Sequence, residues 1–345
     1  MSIRNFYKKI IISIFKKYYG KIEIDSNFLK KKKYINKNFF YYFYEIDYGR
    51  VFTNTNDVAY LKNNKIIKGA SLQIRNTGYN DNILRNVVFK TGTPKKHTFV
   101  NAKVYSMLTG IESNNNYFHW FFDSLPRLLL IKKFYKVEKN DFFLVNNLKH
   151  NFQRESLKKL GVKNILNAYE LKHIKAKKII TIDFHRKHTD VPQWFVNDLR
   201  SYLLKNHKLK KKSAKKIFID RSNTSSKTRD VYNKQELINF LKKKNFYIID
   251  PSNLSFDKEI ELFYNAKIVI GLYGAGLTNL IFCRKNCKVV ELKKIKTNKL
   301  YENIAKKIGL KFNSLGCKGI NNNYSNRNFD GSIIVDINKL SSLIS

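Results

Sequence analysis

Three short segments carry side chains whose types and spacing could do chemistry. The first is Asn116-Tyr-Phe-His-Trp-Phe-Phe-Asp-Ser-Leu-Pro-Arg127, in which His119, Asp123 and Arg127 stand at i, i+4 and i+8. That spacing puts them along one stripe of a helix. A carboxylate beside an imidazole can orient the ring and stabilise its charged form, or itself take a proton from a hydroxyl. Pro126 has no amide to donate and disturbs a helix near Asp123 unless the neighbouring backbone is relieved, an odd choice for a purely structural helix. The same spacing also suits a buried His–Asp pair that only holds two elements together.

The second segment is Gly271-Leu-Tyr-Gly-Ala-Gly-Leu-Thr-Asn279, between the apolar run KIVIG and an apolar helix. Small residues at Gly274, Ala275 and Gly276 let backbone approach a ligand, and amides at a helix N-terminus favour an anion. Glu291 follows Gly271 by twenty residues, ends the run KVVEL, and is placed to accept from two ribose hydroxyls. The glycine order is G-x-x-G-x-G, not the dinucleotide order G-x-G-x-x-G. Glycines here also suit a strand end that is simply tightly packed.

The third segment runs from KIFID into Arg221-Ser-Asn-Thr-Ser-Ser-Lys-Thr-Arg229. Arg221, Lys227 and Arg229 stand at the sheet edge that carries the glycine loop, where open α/β sheets bind ligands. Guanidinium and ammonium groups there can clamp a diphosphate and take up the charge that develops as it leaves. A solvated basic loop is the competing reading. Asn233, with Glu236 three residues on, reads as a helix N-cap. Asp183-Phe-His-Arg-Lys-His188 has metal-like residue types without a further ligand in view, so no metal site is assigned; His185 and His188 are expected on the acceptor side.

These segments need a scaffold. Strand-like aromatic and β-branched clusters from Phe39 to Ile74 give a β-rich entry. From about Thr98 the chain alternates: a helix over His119–Phe134, strand DFFLV, helix QRESLKKL, strand KKIITID and helix WFVNDLRSYLL. The charged run KNHKLKKKSAKK, with no apolar face, reads as a connection between domains. Beyond it, short apolar strands between amphipathic helices predict a doubly wound, mostly parallel α/β sheet. The expected organisation is a basic segment over 1–36, an α/β domain over 37–207 and a Rossmann-like domain over 208–345, with the C-terminal helix free to pack back on the N-terminal domain.

Composition narrows the partners. The 345 residues hold 67 Lys plus Arg against 26 Asp plus Glu, a net charge of +41, which attracts nucleic acid, anionic lipid or phosphorylated substrates. The Lys is spread along the whole chain among Asn, Ile, Tyr and Phe, the residues of A/T-rich codons, which favours genome bias over a nucleic-acid stripe. Three cysteines are too few for a disulfide framework and fit a reducing compartment. The apolar run Ile10–Phe15 is too short to span a bilayer and lacks a cleavage site, so the chain is expected in the cytoplasm. With Ile3, Phe6, Ile10 and Ile14 among lysines, that segment suits either a helix in an anionic membrane surface or a solvated helix packed on the body.

Taken in order, NYFHWFFDSLPRL, FIDRS…KTRDVYN and LFYNAKIVIGLYGAGLTNLIF…VVEL resemble glycosyltransferase family 61, the DUF563 group of capsular-polysaccharide-type transferases, over roughly Arg50 to Phe312. The resemblance implies a GT-B architecture of two Rossmann-like domains facing a cleft, with the nucleotide-sugar on the C-terminal one and the acceptor on the N-terminal one. It implies inverting transfer to a surface polysaccharide or lipid-linked glycan, with no metal or other cofactor, in agreement with the lack of an Asp-x-Asp motif. Nucleic acid is not expected as a partner. Peripheral contact with the inner face of an anionic membrane is expected only on the membrane-surface reading of the N-terminal segment. By position His119, Asp123 and Arg127 match the family's HW-x-x-D-x-LPR element, Arg221, Arg229 and Asn233 its R…R-x-x-N element, and Gly274, Ala275 and Gly276 its GAG loop. Tyr273 departs from the family's usual His and can donate a hydrogen bond but no positive charge. On this reading Asp123 is the favoured base with His119 supporting it, although the two roles can be exchanged. Arg221, Lys227 and Arg229 hold the diphosphate and Glu291 the ribose, Asn233, Tyr273 and the Gly274–Gly276 loop belong to the donor site, and Arg127 stands on the acceptor side. A basic polyanion-binding protein, an NAD-dependent oxidoreductase and an inactive transferase relative are the competing readings.

Overall fold

The computed structural model describes residues 3–37, 39–54, 57–71, 73–75, 78–80, 82–109, 116–183, 189–205, 215–221, 229–295, 297–320 and 330–345. They form two compact units, Met1–His185 and Arg186–Ser345.

In the first unit the β-rich entry becomes a ten-stranded mixed sheet. Its axis is the strand His173–Ile182, which runs antiparallel to Phe39–Asp47 over residues 178–182 and to Arg50–Thr53 over residues 173–175. On its other side it pairs in parallel with Thr98–Ser106, which continues in parallel to Phe142–Val145 and then Ile165–Asn167. So the α/β rhythm accounts for only the parallel half of this sheet. The hairpins of the entry supply the rest. Alternation along the strands sends Tyr44, Ile46, Val104, Leu144, Ala176 and Ile179 into one core.

The second unit is a six-stranded sheet in the order Phe246–Ile249, Lys215–Ile219, Ala266–Leu272, Lys288–Lys294, Lys311–Ile320, Ser332–Ile334. Counted along the chain this is 2-1-3-4-5-6, parallel except for the last strand. The order reverses between the first and third strands, which leaves a crevice beyond their C-terminal ends. One face packs Phe218, Ile270, Val290 and Leu292 under the helix Lys234–Lys243, through Leu237 and Leu241. The C-terminal helix Ile337–Ile344 buries Leu340 and Ile344 in that same core.

The helix Gln193–Lys205 also belongs to the second unit, which moves the boundary upstream of the lysine-rich run. Its apolar side, Phe195, Val196, Leu199 and Leu203, is fully buried. Gln193 donates to the Lys307 carbonyl and Arg200 to that of Ile281. Burying four such side chains outweighs the cue of a charged run, which marks exposure and not a domain border.

Candidate active site

His119 and Asp123 are positioned by an interrupted helix. Asn116 caps its start, the side-chain oxygen accepting from the amides of Phe118 at 2.9 Å and His119 at 3.3 Å. One α-turn, Tyr117–His119, gives way to a π-turn over Trp120–Ser124, closed by the Leu125 amide donating to the Trp120 carbonyl, and an α-helix resumes over Leu125–Phe134. Pro126 thus lies in the first turn of the resumed helix, where its missing amide is tolerated. The π-turn is the backbone relief the proline calls for. Such turns are rare and cluster at functional sites. Here the turn is held by burial: Trp120, Phe121 and Phe122 are at most 1% exposed, about 1.5–3 kcal/mol for each side chain. Trp120 Nε1 also donates to Ser156 Oγ at 3.0 Å.

The wider turn rotates the residues beyond it, so the three groups do not form one simple stripe. His119 Nδ1 lies 2.6 Å from Asp123 Oδ2, with the histidine side chain 20% exposed and the aspartate 1%. Arg127 is buried and donates to the carbonyl of Ile182 at the end of the central strand. Just beyond, Asp183 exchanges bonds with the Tyr42 backbone, accepting at 3.0 Å and donating its amide at 3.1 Å. Arg127, expected to meet the acceptor, therefore ties helix to strand. His185, His188 and Lys227 lie outside the described residues.

In the second unit the crevice at the order reversal falls between the ends of Lys215–Ile219 and Ala266–Leu272, which lead directly into Arg221 and the glycine loop. Here the backbone is packed against guanidinium groups. A Cβ on Gly274 would clash with Arg221 Nη1 and lie 3.3 Å from Arg229 Nη1, so only glycine admits the pair as placed. Arg229 donates to the Tyr273 carbonyl at 2.8 Å and pairs with Asp330 at 3.4 Å. Burial, and then the neighbouring Arg229 charge, bring Arg221 down to about 10. Two half-buried cations this close together favour negative charge beside them. Ala275 and Gly276 open a 3-10 helix, Ala275–Phe282, whose Leu277 amide returns to the Gly274 carbonyl at 2.9 Å.

Three expected residues have other surroundings. Tyr273 is buried, its hydroxyl donates to Asn298 Oδ1 at 3.1 Å, and its ring meets Tyr301 edge-on at 5.4 Å. Glu291 sits in the middle of the strand Lys288–Lys294 and not at its end; it is fully buried, 2.9 Å from Lys293 Nζ. Burial pushes its carboxyl up to about 7 against the pull of Lys293. As placed, the enclosed carboxylate pairs with Lys293. Asn233 does not cap through its side chain: its amide group pairs with both backbone groups of Val335, at 2.9 Å each, and reaches Glu236 at 3.0 Å. Those bonds staple the end of the final strand to the start of the helix Lys234–Lys243.

The segments matched in order have thus become two built clusters. The glycosyltransferase 61 family model matches residues 117–290, from the first helical turn to the edge of Glu291. The chain belongs to glycosyltransferase family 61. It is therefore a glycosyltransferase that takes a sugar donor and an acceptor, and the dehydrogenase and polyanion-binding readings are not favoured. No curated protein matches the chain.

For a family 61 enzyme, sequence reasoning missed Tyr301, Asp330 and Lys293. Tyr301 is electrostatically coupled to both arginines, and burial pushes its phenol well above the ordinary range. In the sequence it reads as one more core position of the helix Leu300–Ile308, while Asp330 and Lys293 carry no motif. Among the described residues no three His, Cys, Asp or Glu side chains gather as a metal site, and Cys283, Cys287 and Cys317 are buried free thiols. A separate cavity of about 330 Å³, lined by Asp25, Phe28, Lys30, Tyr44, Lys68 and Gly69 among others, includes none of these residues.

Proposed function

We propose that the chain is an inverting, metal-independent transferase of the GT-B type, moving a sugar from a nucleoside diphosphate to a hydroxyl of a surface polysaccharide or lipid-linked glycan precursor. The donor is held by the second unit. Arg221 and Arg229, with Lys227, receive the diphosphate beside the Gly274 backbone, and their paired charge stabilises the leaving group, the work a divalent ion does in other transferases. Tyr301 and Tyr273 wall that site.

The observation that carries the mechanism is the asymmetry of the His119–Asp123 pair. Asp123 is closed off and bonded to Nδ1, while the histidine keeps exposed surface. Of the two possible bases, His119 is therefore favoured, with Asp123 positioning it. Proton exchange passes through Nε2. In a single displacement the acceptor oxygen gives its proton to His119 and forms a bond to the anomeric carbon. The bond from that carbon to the phosphate oxygen breaks, and its electron pair leaves on the diphosphate. One substitution inverts the anomeric centre. His185 and His188 are proposed to meet the acceptor.

Product analysis by NMR tests this: an inverted glycosidic linkage formed with chelator present is expected, and His119→Ala should lower turnover by about 10²–10⁴ while donor binding persists. A retained configuration would reject the single-displacement mechanism.

A further inference from the structure

The helix Ile3–Tyr19 presents two unlike sides. Ile12, Phe15 and Tyr19 are the residues partly covered by the protein. Tyr19 is the anchor: its hydroxyl bonds His97 Nδ1 at 2.9 Å, its ring lies 5.2 Å from that of His173, and the Arg50 guanidinium stands 4.4 Å over it. Phe15 stacks on Tyr19 at 6.1 Å.

Away from that anchor, Ile3, Phe6, Tyr7, Ile10, Ile14 and Tyr18 fall within an arc of roughly 120° at α-helical spacing. All are exposed, Ile3 at 77%, Ile14 at 58% and Phe6 at 53% among them. A soluble helix with that many large apolar groups on its open side leaves them without the burial that would repay their exposure. Arg4, Lys8, Lys9 and Lys16 flank the arc and Lys17 stands within it, where a long stem lets the ammonium rise past an apolar layer. The helix contains no acidic residue. Among the described residues no helix is long and apolar enough to cross a membrane.

We propose that this helix is a docking surface for an anionic lipid bilayer, lying in the interface with the Ile3–Tyr18 arc among the acyl chains and its cations against the headgroups. Charge decides the occupant. Two copies of this chain meeting through the arc would bring five cations against five with no acid to offset them. A bilayer bearing phosphatidylglycerol supplies both an apolar layer and negative charge. Tyr19 and its imidazole socket fix the helix to the first unit, so docking holds the enzyme at the membrane surface, which on the proposed function is where a lipid-linked acceptor resides.

Co-sedimentation of the full chain with vesicles of phosphatidylethanolamine and phosphatidylglycerol, and with vesicles of phosphatidylcholine alone, is the test. The expected result is binding to the anionic vesicles that the double variant Ile10→Asp, Ile14→Asp weakens at least tenfold, with an unchanged melting temperature because both residues are exposed. Replacing Lys8, Lys9, Lys16 and Lys17 by Gln should weaken it as well and flatten its salt dependence. Equal vesicle binding by the Asp variant would assign the attraction to the general charge of the chain and overturn the proposal. So would wild-type protein that ignores the vesicles and associates with itself until the Asp substitutions make it monomeric.

Discussion

In the proposed mechanism the chemistry of the first unit rests on two side chains one helical turn apart, and the binding by the second on one missing Cβ. His119 and Asp123 were visible in the sequence as an i, i+4 pair. Which of them faces outward was not, because spacing says nothing of depth. The burial of the acid is what favours His119 as the base in the proposed mechanism. His119→Ala is accordingly expected to lower kcat by about 10²–10⁴ with little change in donor affinity, and Asp123→Asn should lower it by a smaller factor, both read from steady-state kinetics beside donor titration. Gly274→Ala should weaken nucleotide binding about 10–100-fold by displacing Arg221 and Arg229. The clashing atom is the tip of a side chain, so the melting temperature should hold. Glu291 misled for the opposite reason: its distance from the glycine loop suggested ribose, but strand alternation turns it inward beside Lys293. Its carboxyl titrates near 7, above the ordinary range, so the folded state binds a proton that the unfolded state has released. Stability should then fall as pH rises from the ordinary carboxylate range through about 7, by at most a few kcal/mol. Urea unfolding across that range should show this slope in the wild type and a flatter one in Glu291→Gln.

At the scale of elements, most strands and helices could be read from apolar periodicity, since each buries one face. Two features could not. The break in the helix at Trp120–Ser124 was signalled only by Pro126, which demands relief without specifying its form; the buried Trp120, Phe121 and Phe122 select a π-turn. Pro126→Ala would restore the missing amide and permit an α-register. It is expected to reduce kcat roughly 10–100-fold by shifting His119 against Asp123, leaving donor binding intact, which kinetics and titration would separate. The helix Gln193–Lys205 was drawn into the wrong unit because a charged run is conspicuous in a sequence, whereas the surface that Phe195, Leu199 and Leu203 bury is not.

For the whole molecule, the formal charge of +41 is the most visible property and the least specific. Binding of arbitrary RNA should be weak and should collapse between low and physiological salt, whereas nucleotide held by the half-buried arginines is partly shielded from bulk ions and should be less sensitive to it. The 2-1-3-4-5-6 strand order puts Arg221 and Gly274 at the one crevice that the topology opens, which neither segment reveals alone. The most direct test of the central claim is calorimetric titration of the full chain with UDP, GDP and CMP, with and without magnesium, repeated on Arg221→Ala. The account predicts that one nucleotide binds equally well without magnesium and that the folded variant loses at least about tenfold in affinity. Folded wild-type protein that binds no nucleotide, or binds one only when magnesium is present, would contradict it.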